Sequence, residues 1–420
     1  MKPLEILNER ISEKKMELES WITVQTEKVL VPLYTSVDLR VSDYKIAPVD
    51  TNVFPAGFNN LSERFRDHAS ELFKDYIVRK YPKVKSILII PELNTRNQFY
   101  WENISVLKSI LEKVDYKVQV GIVSDDFYHD EMSFKALDGK EVLVYKVIKD
   151  GHRVVTTAGD PDLILINNDF SDKCPKTLRD IVQPVEPPVE IGWHTRKKSV
   201  HFEYYNKLAR EVADILDIDP AIISIKTVPE EGVNFDSPED RVRAAKCVES
   251  ILDELSEEYK KRGIDYDPYL FLKSNSGTYG MAVMSVKDAE GVRSLNSEGR
   301  KRMRVSKGGK PVRDIVIQEG IPTSLTLSSG ASAEPVIYLV EAQAVGGFLR
   351  LNKSKNTLEN LNTRGMEFSD MYLPGDESGS ENGGAVISPA YKLLACVASI
   401  ATGYEIEKIL EEGGCQEEVS

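Results

Sequence analysis

From Leu4 to Val24 the apolar positions Leu7, Ile11, Leu18, Trp21 and Ile22 return at near-helical spacing with charges between them, which predicts an amphipathic opening helix. Leu61, Phe65, Ala69, Leu72, Phe73 and Tyr76 keep the helical repeat more closely, and Asn60 followed by Glu63 has the form of a helix start. The run SILII (86–90), a helical pattern through Ile104, Leu107, Leu111 and Val114, and the run KVQVGIV (117–123) read as strand, helix, strand. That order predicts a parallel βαβ unit.

Short β-rich runs follow at 141–148, 153–157 and 162–167, separated by Asp-Gly and Gly-Asp turns, and a first α/β domain is expected to close near Asn168. Pro184, Pro187 and Pro188 mark a loop before GWHTRKKSVHF (192–202). Tyr205, Leu208, Val212 and Ile215 then predict another helix. With a boundary near Pro220, residues 1–220 form an N-terminal α/β substrate domain with leading helices. Residues 221–405 read as α+β: a long helix at 238–261, then strands at 269–273, 282–286, 314–318 and 336–345 in a mostly antiparallel sheet. Residues 406–420 read as an acidic, solvated tail. No internal repeat is found.

Composition narrows the class. At 420 residues the chain is long enough for two or three compact units, and 41% hydrophobic with 29% charged residues is a globular balance. Its formal net charge of −13 argues against broad binding to nucleic acid or anionic membrane. No apolar run approaches the roughly 20 residues of a membrane span, and the mixed-charge N-terminus is neither a secretory signal nor a transit peptide, so the expected location is cytoplasmic. Cys174, Cys247, Cys396 and Cys415 are scattered without CxxC spacing, as expected of reduced, structural thiols.

The chemistry gathers at YLFLKSNSGTYGMAVMSV (269–286), where a β run ends at Lys273 and a small-residue loop, 274–280, leads into another. Such a loop lets backbone N–H groups approach phosphate while the lysine supplies charge; an ordinary glycine hairpin fits the spacing equally well. No Walker or Rossmann glycine pattern is present. Arg300, Lys301, Arg302, Arg304, Lys307, Lys310 and Arg313 then make an acid-free basic segment around Gly308–Gly309, suited to polyphosphate, and DIVIQEGIPT sets Gln318 and Glu319 at a strand end. Asn167, Asn168 and Asp169 follow a β run, where α/β sheets put ligands, and suit an ammonium or hydroxyl; an Asx turn is the plain alternative. His194, Arg196 and Lys197, with Lys198 and His201, could clamp a carboxylate or simply form a basic loop. His68, His129 and His152 lack metal-ligand spacing.

The order strand-lysine, SGTYGM loop, basic glycine loop, QEGIPT, VGGFLRLN and ENLNTRG resembles the ATP-grasp ligases, and more narrowly the proteobacterial type of glutamate-cysteine ligase. PELNTRNQFYWENI (91–104), INNDFSDKCP (166–175) and GWHTRKKSVHFEYY (192–205) are similar to that family too, so the resemblance runs from about Pro91 to Phe368. It implies a pre-ATP-grasp-type α/β domain followed by an ATP-grasp domain. By the same resemblance Lys273 meets the α/β-phosphates, and Ser276, Gly277, Thr278 and Gly280 form the phosphate lid. Gln318 and Glu319 would frame adenine and ribose, and Arg350 would face the γ-phosphate and acyl phosphate. The implied partners are ATP, L-glutamate and L-cysteine, with Mg2+ as cofactor and an acyl phosphate as intermediate. The usual Glu-x-Asn metal pair is missing, leaving Glu341, Asn360 and Asn362 as the candidate metal ligands. A related ligase with another amine acceptor, or a nucleotide-binding regulator without turnover, are the alternatives.

Overall fold

A computed structural model describes residues 2–92, 96–124, 127–171, 173–277, 282–304, 311–327, 330–373 and 385–413. Its centre is a six-stranded sheet in the spatial order 385–386, 367–372, 343–352, 332–340, 34–41, 46–52. Neighbours run antiparallel except for the short edge pair at 371–372 and 385–386. This sheet takes strands from either side of the boundary expected at Pro220.

Strands Tyr34–Val41 and Ile46–Asn52 had no counterpart among the expected elements. The first is buried along its whole length and carries Ser36, Asp38 and Arg40 at alternate positions. Successive side chains of a strand point to opposite faces, so these three share a face while Thr35, Val37, Leu39 and Val41 share the other. The apolar face lies under helix Pro389–Glu411, where Thr35 Oγ1 donates to Ser399 Oγ at 3.1 Å. That helix is capped by Ser388, whose Oγ accepts from the Ala390 N–H. It continues to Glu411 and buries Ile406 and Ile409, so the expected tail begins as packed helix, while residues 410–413 are exposed. The polar face of the sheet is left to line clefts.

The segment expected as one strand at 336–345 is the turn end of a hairpin, Ser332–Val340 with Gln343–Asn352. The chain reverses at Glu341, which adopts φ 55°. A Glu-Ala turn lacks the usual Gly, Asn or Asp, which is why the reversal was not legible. The opening helix is likewise two helices, Pro3–Glu13 and Lys15–Lys28, joined at Lys14.

The βαβ unit is present as expected. Strands Ser86–Pro91, Lys117–Ile122 and Leu163–Asn167 lie parallel in a second six-stranded sheet, with helix Gln98–Glu112 between the first two and Asn97 capping it. Register sets Pro91 beside Asn167, so the carboxyl ends of two parallel strands open side by side. The third sheet, order 227–230, 315–319, 270–274, 283–286, is wholly antiparallel and packs under helix Pro238–Arg262. Its middle strand delivers Lys273 to the edge of the central sheet's polar face. Among the described residues no helix is long and apolar enough to cross a membrane.

Candidate active site

Where the small sheet meets the central one there is a cleft of about 680 Å³, lined by Asp38, Arg40, Asp50, Lys198, Lys273 and Glu334 among others. Its floor is an alternating row of charges. Arg350 Nη1 donates to Asp38 Oδ2 and to Glu334 Oε1, both at 2.7 Å, and Arg40 Nε donates to Glu334 Oε2 at 2.8 Å. Register explains the row: Glu334 pairs with Arg350 across the hairpin, and Arg40 and Asp38 sit on the same face of the adjoining strand. These groups are nearly fully buried, and each charge is met by an opposite one, as burial demands. Burial pushes the Asp38 carboxyl upward, opposed by Arg350.

Arg40 also donates to the carbonyls of Glu359, at 2.6 Å, and Thr357, at 3.3 Å, pinning the segment that enters Asn360 and Asn362. Both asparagines line the cleft, and the Asn362 N–H donates to Asn360 Oδ1 at 3.0 Å.

Lys273 projects from the opposite wall, its Nζ donating to Gln318 Oε1 at 2.6 Å and to the Val49 carbonyl at 3.0 Å. Removal from water lowers its pKa to about 8, although the nearby Asp50 pulls the other way. Lys198 pairs with Asp50. Burial raises the Asp50 carboxyl, but Lys198 and Lys273 outweigh it and the net shift is downward. A cleft with two cations on acidic partners, Arg40 on Glu334 and Lys198 on Asp50, and a half-buried lysine that holds its proton weakly is poised to take a polyanion.

The row is also the border with a second cleft, of about 800 Å³, lined by Arg350, Asp50, Asn362, Asp169, Glu92, Trp193 and Tyr338. Arg350 is 8% exposed, and its Nε has no hydrogen-bond partner among the described residues. A third, outer cleft joins the second through Asn60, Glu92, Asn362, Met366 and Phe368.

Of the residues expected at a site, Lys273, Gly277, Asn360 and Asn362 line the first cleft, and Arg350 and Asp169 line the second. Ser276 stands at the loop's start, its Oγ donating to the Arg196 carbonyl at 2.9 Å. Thr278 and Gly280 lie outside the described residues. Gln318 reaches the cleft only through Lys273. Glu319 points the other way, held by Lys45 Nζ at 2.6 Å and by Tyr259 Oη at 3.0 Å. Neither lines the adjoining cleft.

Asn167 is a buried knot whose Nδ2 donates to Tyr34 Oη and the Pro55 carbonyl. Asn168 forms an Asx turn with the Phe170 N–H and donates to the Pro91 carbonyl. His194 Nδ1 lies 2.8 Å from the Phe170 carbonyl, and exposed Lys197 lies 3.9 Å from Glu231. Arg196 is committed to Glu405 on the C-terminal helix, at 3.1 and 2.8 Å, and stacks over Trp193. The carboxylate clamp expected of His194, Arg196 and Lys197 is therefore not what these side chains form. Glu341 is also misplaced as a metal ligand: at the far turn of the hairpin it pairs with Arg79 at 2.7 Å. Among the described residues no group of three or more His, Cys, Asp or Glu is arranged as a metal cluster.

Asp38, Arg40, Asp50 and Glu334 were not anticipated, and Lys198, expected beside the carboxylate clamp, lines the first cleft instead. The alternation Val37-Asp38-Leu39-Arg40-Val41 was the available signal, a half-polar strand whose charged face needs partners.

Likeness to known proteins makes the chain with this mixed α/β frame and cation-lined cleft a ligase, an enzyme that joins two substrates. Among ligases, the chain belongs to the glutamate-cysteine ligase family, whose profile matches residues 8–406. A solved structure from Methylobacillus flagellatus KT, assigned as a gamma-glutamylcysteine synthetase, is 32% identical, covers 97% of this chain and 96% of that one, and superposes with a TM-score of 0.86. D-alanyl-alanine synthetase A from Vibrio cholerae O1 biovar eltor aligns at 9% identity over 78% of this chain and 81% of that one, TM-score 0.33. A glutathione synthetase-like effector from Globodera pallida aligns at 10% over 87% and 80%, TM-score 0.37. Neither of these two likenesses is close enough to carry an argument. No curated protein matches the chain.

Proposed function

We propose that the chain joins the γ-carboxylate of L-glutamate to the amine of L-cysteine, driven by cleavage of ATP to ADP and phosphate, in an ATP-grasp arrangement. A γ-carboxylate oxygen attacks the terminal phosphorus of ATP, the bond to ADP breaks, and an acyl phosphate forms. The cysteine amine then attacks the acyl carbon and phosphate leaves. Such phosphoryl transfer depends on alignment and charge neutralisation rather than on a protein nucleophile, which fits a cleft walled by Lys273, Lys198 and Arg40. Lys273 and the Ser276–Gly280 loop hold the polyphosphate, Gln318 positions Lys273, and Arg350 faces the transferring group from the second cleft.

The oxygen donors bordering the row, Asp38, Glu334, Asn360 and Asn362, fit a hard divalent cation and would hold magnesium. Bound there, it would neutralise phosphate charge.

The observation that carries this reading is that the cationic cleft and the second cleft meet at the Asp38–Arg350 contact, Asp38 lining the first and Arg350 the second, so a nucleotide in one and a carboxylic acid in the other lie on either side of one ion pair. A coupled ADP-release assay with ATP, magnesium and L-glutamate against a panel of amines tests it. Cysteine should give the largest stimulation; equal rates with and without every amine would remove the ligase reaction proposed.

A further inference from the structure

A carboxylate that is first phosphorylated and then attacked by an amine has to lie between the nucleotide and the amine. The three clefts stand in that order. The first and second share Asp50 and Asn362, and Asp38 of one bonds Arg350 of the other. The second and outer clefts share a whole wall, whereas the first and outer share only Asn362. If the acid occupies the middle cleft, the amine enters through the outer one; this rests on the proposed reaction.

An amino-acid amine arrives at neutral pH as an ammonium, which has no lone pair to attack with. The site must bind the cation and take one proton from it. Among the described residues Glu92 is the carboxylate that lines both the middle and the outer cleft. It is 7% exposed and directly follows strand Ser86–Pro91, at the carboxyl end of the parallel sheet.

Its backbone is fixed from two sides. The Glu92 N–H donates to Tyr100 Oη at 2.7 Å, and that hydroxyl donates to the Asn167 carbonyl at 2.7 Å. Asn168 Nδ2 holds the preceding Pro91 carbonyl at 3.0 Å. The two asparagines expected to touch substrate thus hold the strand end that carries this acid. The rest of the outer cleft has the complementary chemistry. Arg364 supplies a charge for a carboxylate, and Met366 and Phe368, about two-fifths exposed, form a soft apolar wall.

We propose that the outer cleft is the amine-acceptor subsite and that Glu92 is its general base. The Glu92 carboxylate binds the acceptor ammonium and takes one N–H proton. The freed lone pair forms the C–N bond, the acyl C–O bond breaks with its electron pair leaving on phosphate, and the second N–H proton, lost from the nitrogen as the amide forms, goes to the departing phosphate. Arg364 binds the acceptor's own carboxylate, and Met366 and Phe368 border its side chain.

Glu92→Gln keeps the size and removes the base. With cysteine as acceptor its turnover should fall by about 10²- to 10⁴-fold, the usual worth of general base catalysis. With hydroxylamine, a small amine already largely unprotonated near neutral pH, γ-glutamyl hydroxamate formation should stay within about threefold of wild type. KM for ATP and for glutamate should not move. Equal loss with both amines, or full activity with cysteine, overturns the assignment. Arg364→Met, at an exposed position that folding does not depend on, should raise KM for cysteine about tenfold and leave hydroxamate formation alone; an unchanged KM overturns the subsite. A wild-type enzyme without amine-stimulated ADP release would instead refute the proposed reaction, so the two failures are distinct.

Discussion

Arg196 and Arg350 are both buried, both hold carboxylates, and lie in regions with different purposes. Arg196 sits at the start of helix Lys198–Leu216 and grips Glu405 with two nitrogens, with His201 Nδ1 3.6 Å from the same carboxylate. Burial raises the Glu405 carboxyl, but Arg196 and His201 overcome it and hold it down to about 2. Burial also lowers the His201 pKa, against the pull of Glu405. This is a lock between two helices, and none of the three groups lines the clefts at the charged row. Arg350 instead bridges two acids and lines the second cleft, with its Nε–H left without a hydrogen-bond partner among the described residues. The same side chain thus fastens the fold where its partner set is closed and, in the proposed reaction, serves chemistry where it borders a cleft.

The contrast can be broken most forcefully at the lock. Glu405→Ala leaves Arg196 charged and unpaired in the interior, which typically costs about 3–5 kcal/mol. Chemical denaturation should show that loss, while folded protein at low temperature keeps its nucleotide affinity within a few-fold. A silent stability curve would mean the pair is not a lock.

Arg350→Gln should invert the pattern. Turnover falls by about 10²- to 10³-fold, as for removal of a donor aimed at developing charge. The stability cost stays below that of Glu405→Ala, because Asp38 borders a cleft whereas Arg196 lines none of the three. A denaturation midpoint that drops as far as the lock variant's would erase the distinction.

The gentlest probe is pH. Lys273 titrates at about 8 in the free enzyme, so above that pH it is neutral and a polyphosphate must bring a proton with it. Nucleotide affinity should weaken as pH rises through 8. Fold stability should move the opposite way: the unfolded lysine, near 10.4, binds the extra proton between those values, so the cost of burying the charge fades as pH rises. Lys273→Ala should flatten the affinity profile, weakening binding by about ten- to a hundredfold below pH 8 and by less above it, as expected for loss of a charge-assisted contact worth about 1.5–3 kcal/mol. An identical profile in the variant would remove Lys273 from the site.

Sequence could not separate these two arginines, because both stand among basic and apolar neighbours and differ only in what distant segments bring to them. What it showed well was local. The βαβ unit at 86–122 declares itself by a change of period within a short span, and the antiparallel trio around Lys273 by β runs with a glycine loop between. Glu341 was mistaken for a metal ligand because hairpin and single strand share one alternating pattern when the turn residues are ordinary. Asp38 and Arg40 were passed over because a charge inside a buried strand makes sense only once Glu334 and Arg350 lie beside it. Glu92 lies within PELNTRNQFYWENI, but nothing local separates it from its neighbours there; its proposed role rests on the clefts on either side.

The floor of the clefts also sets a timetable for the growing chain. Asp38 finds its neighbour Val336 about 300 residues later, and Arg350 comes later still. At about 5–20 residues per second, strands Tyr34–Val41 and Ile46–Asn52 wait from about fifteen seconds to a minute for the hairpin that completes their sheet. Until then the Asp38 and Arg40 side chains have only water for company, and a strand edge stands open to wrong pairing. The parallel sheet has every strand from 86 to 186 in hand long before. Synthesis therefore delivers the support for Glu92 early and the charged row late, so a nascent chain cannot form that row before Arg350 has emerged.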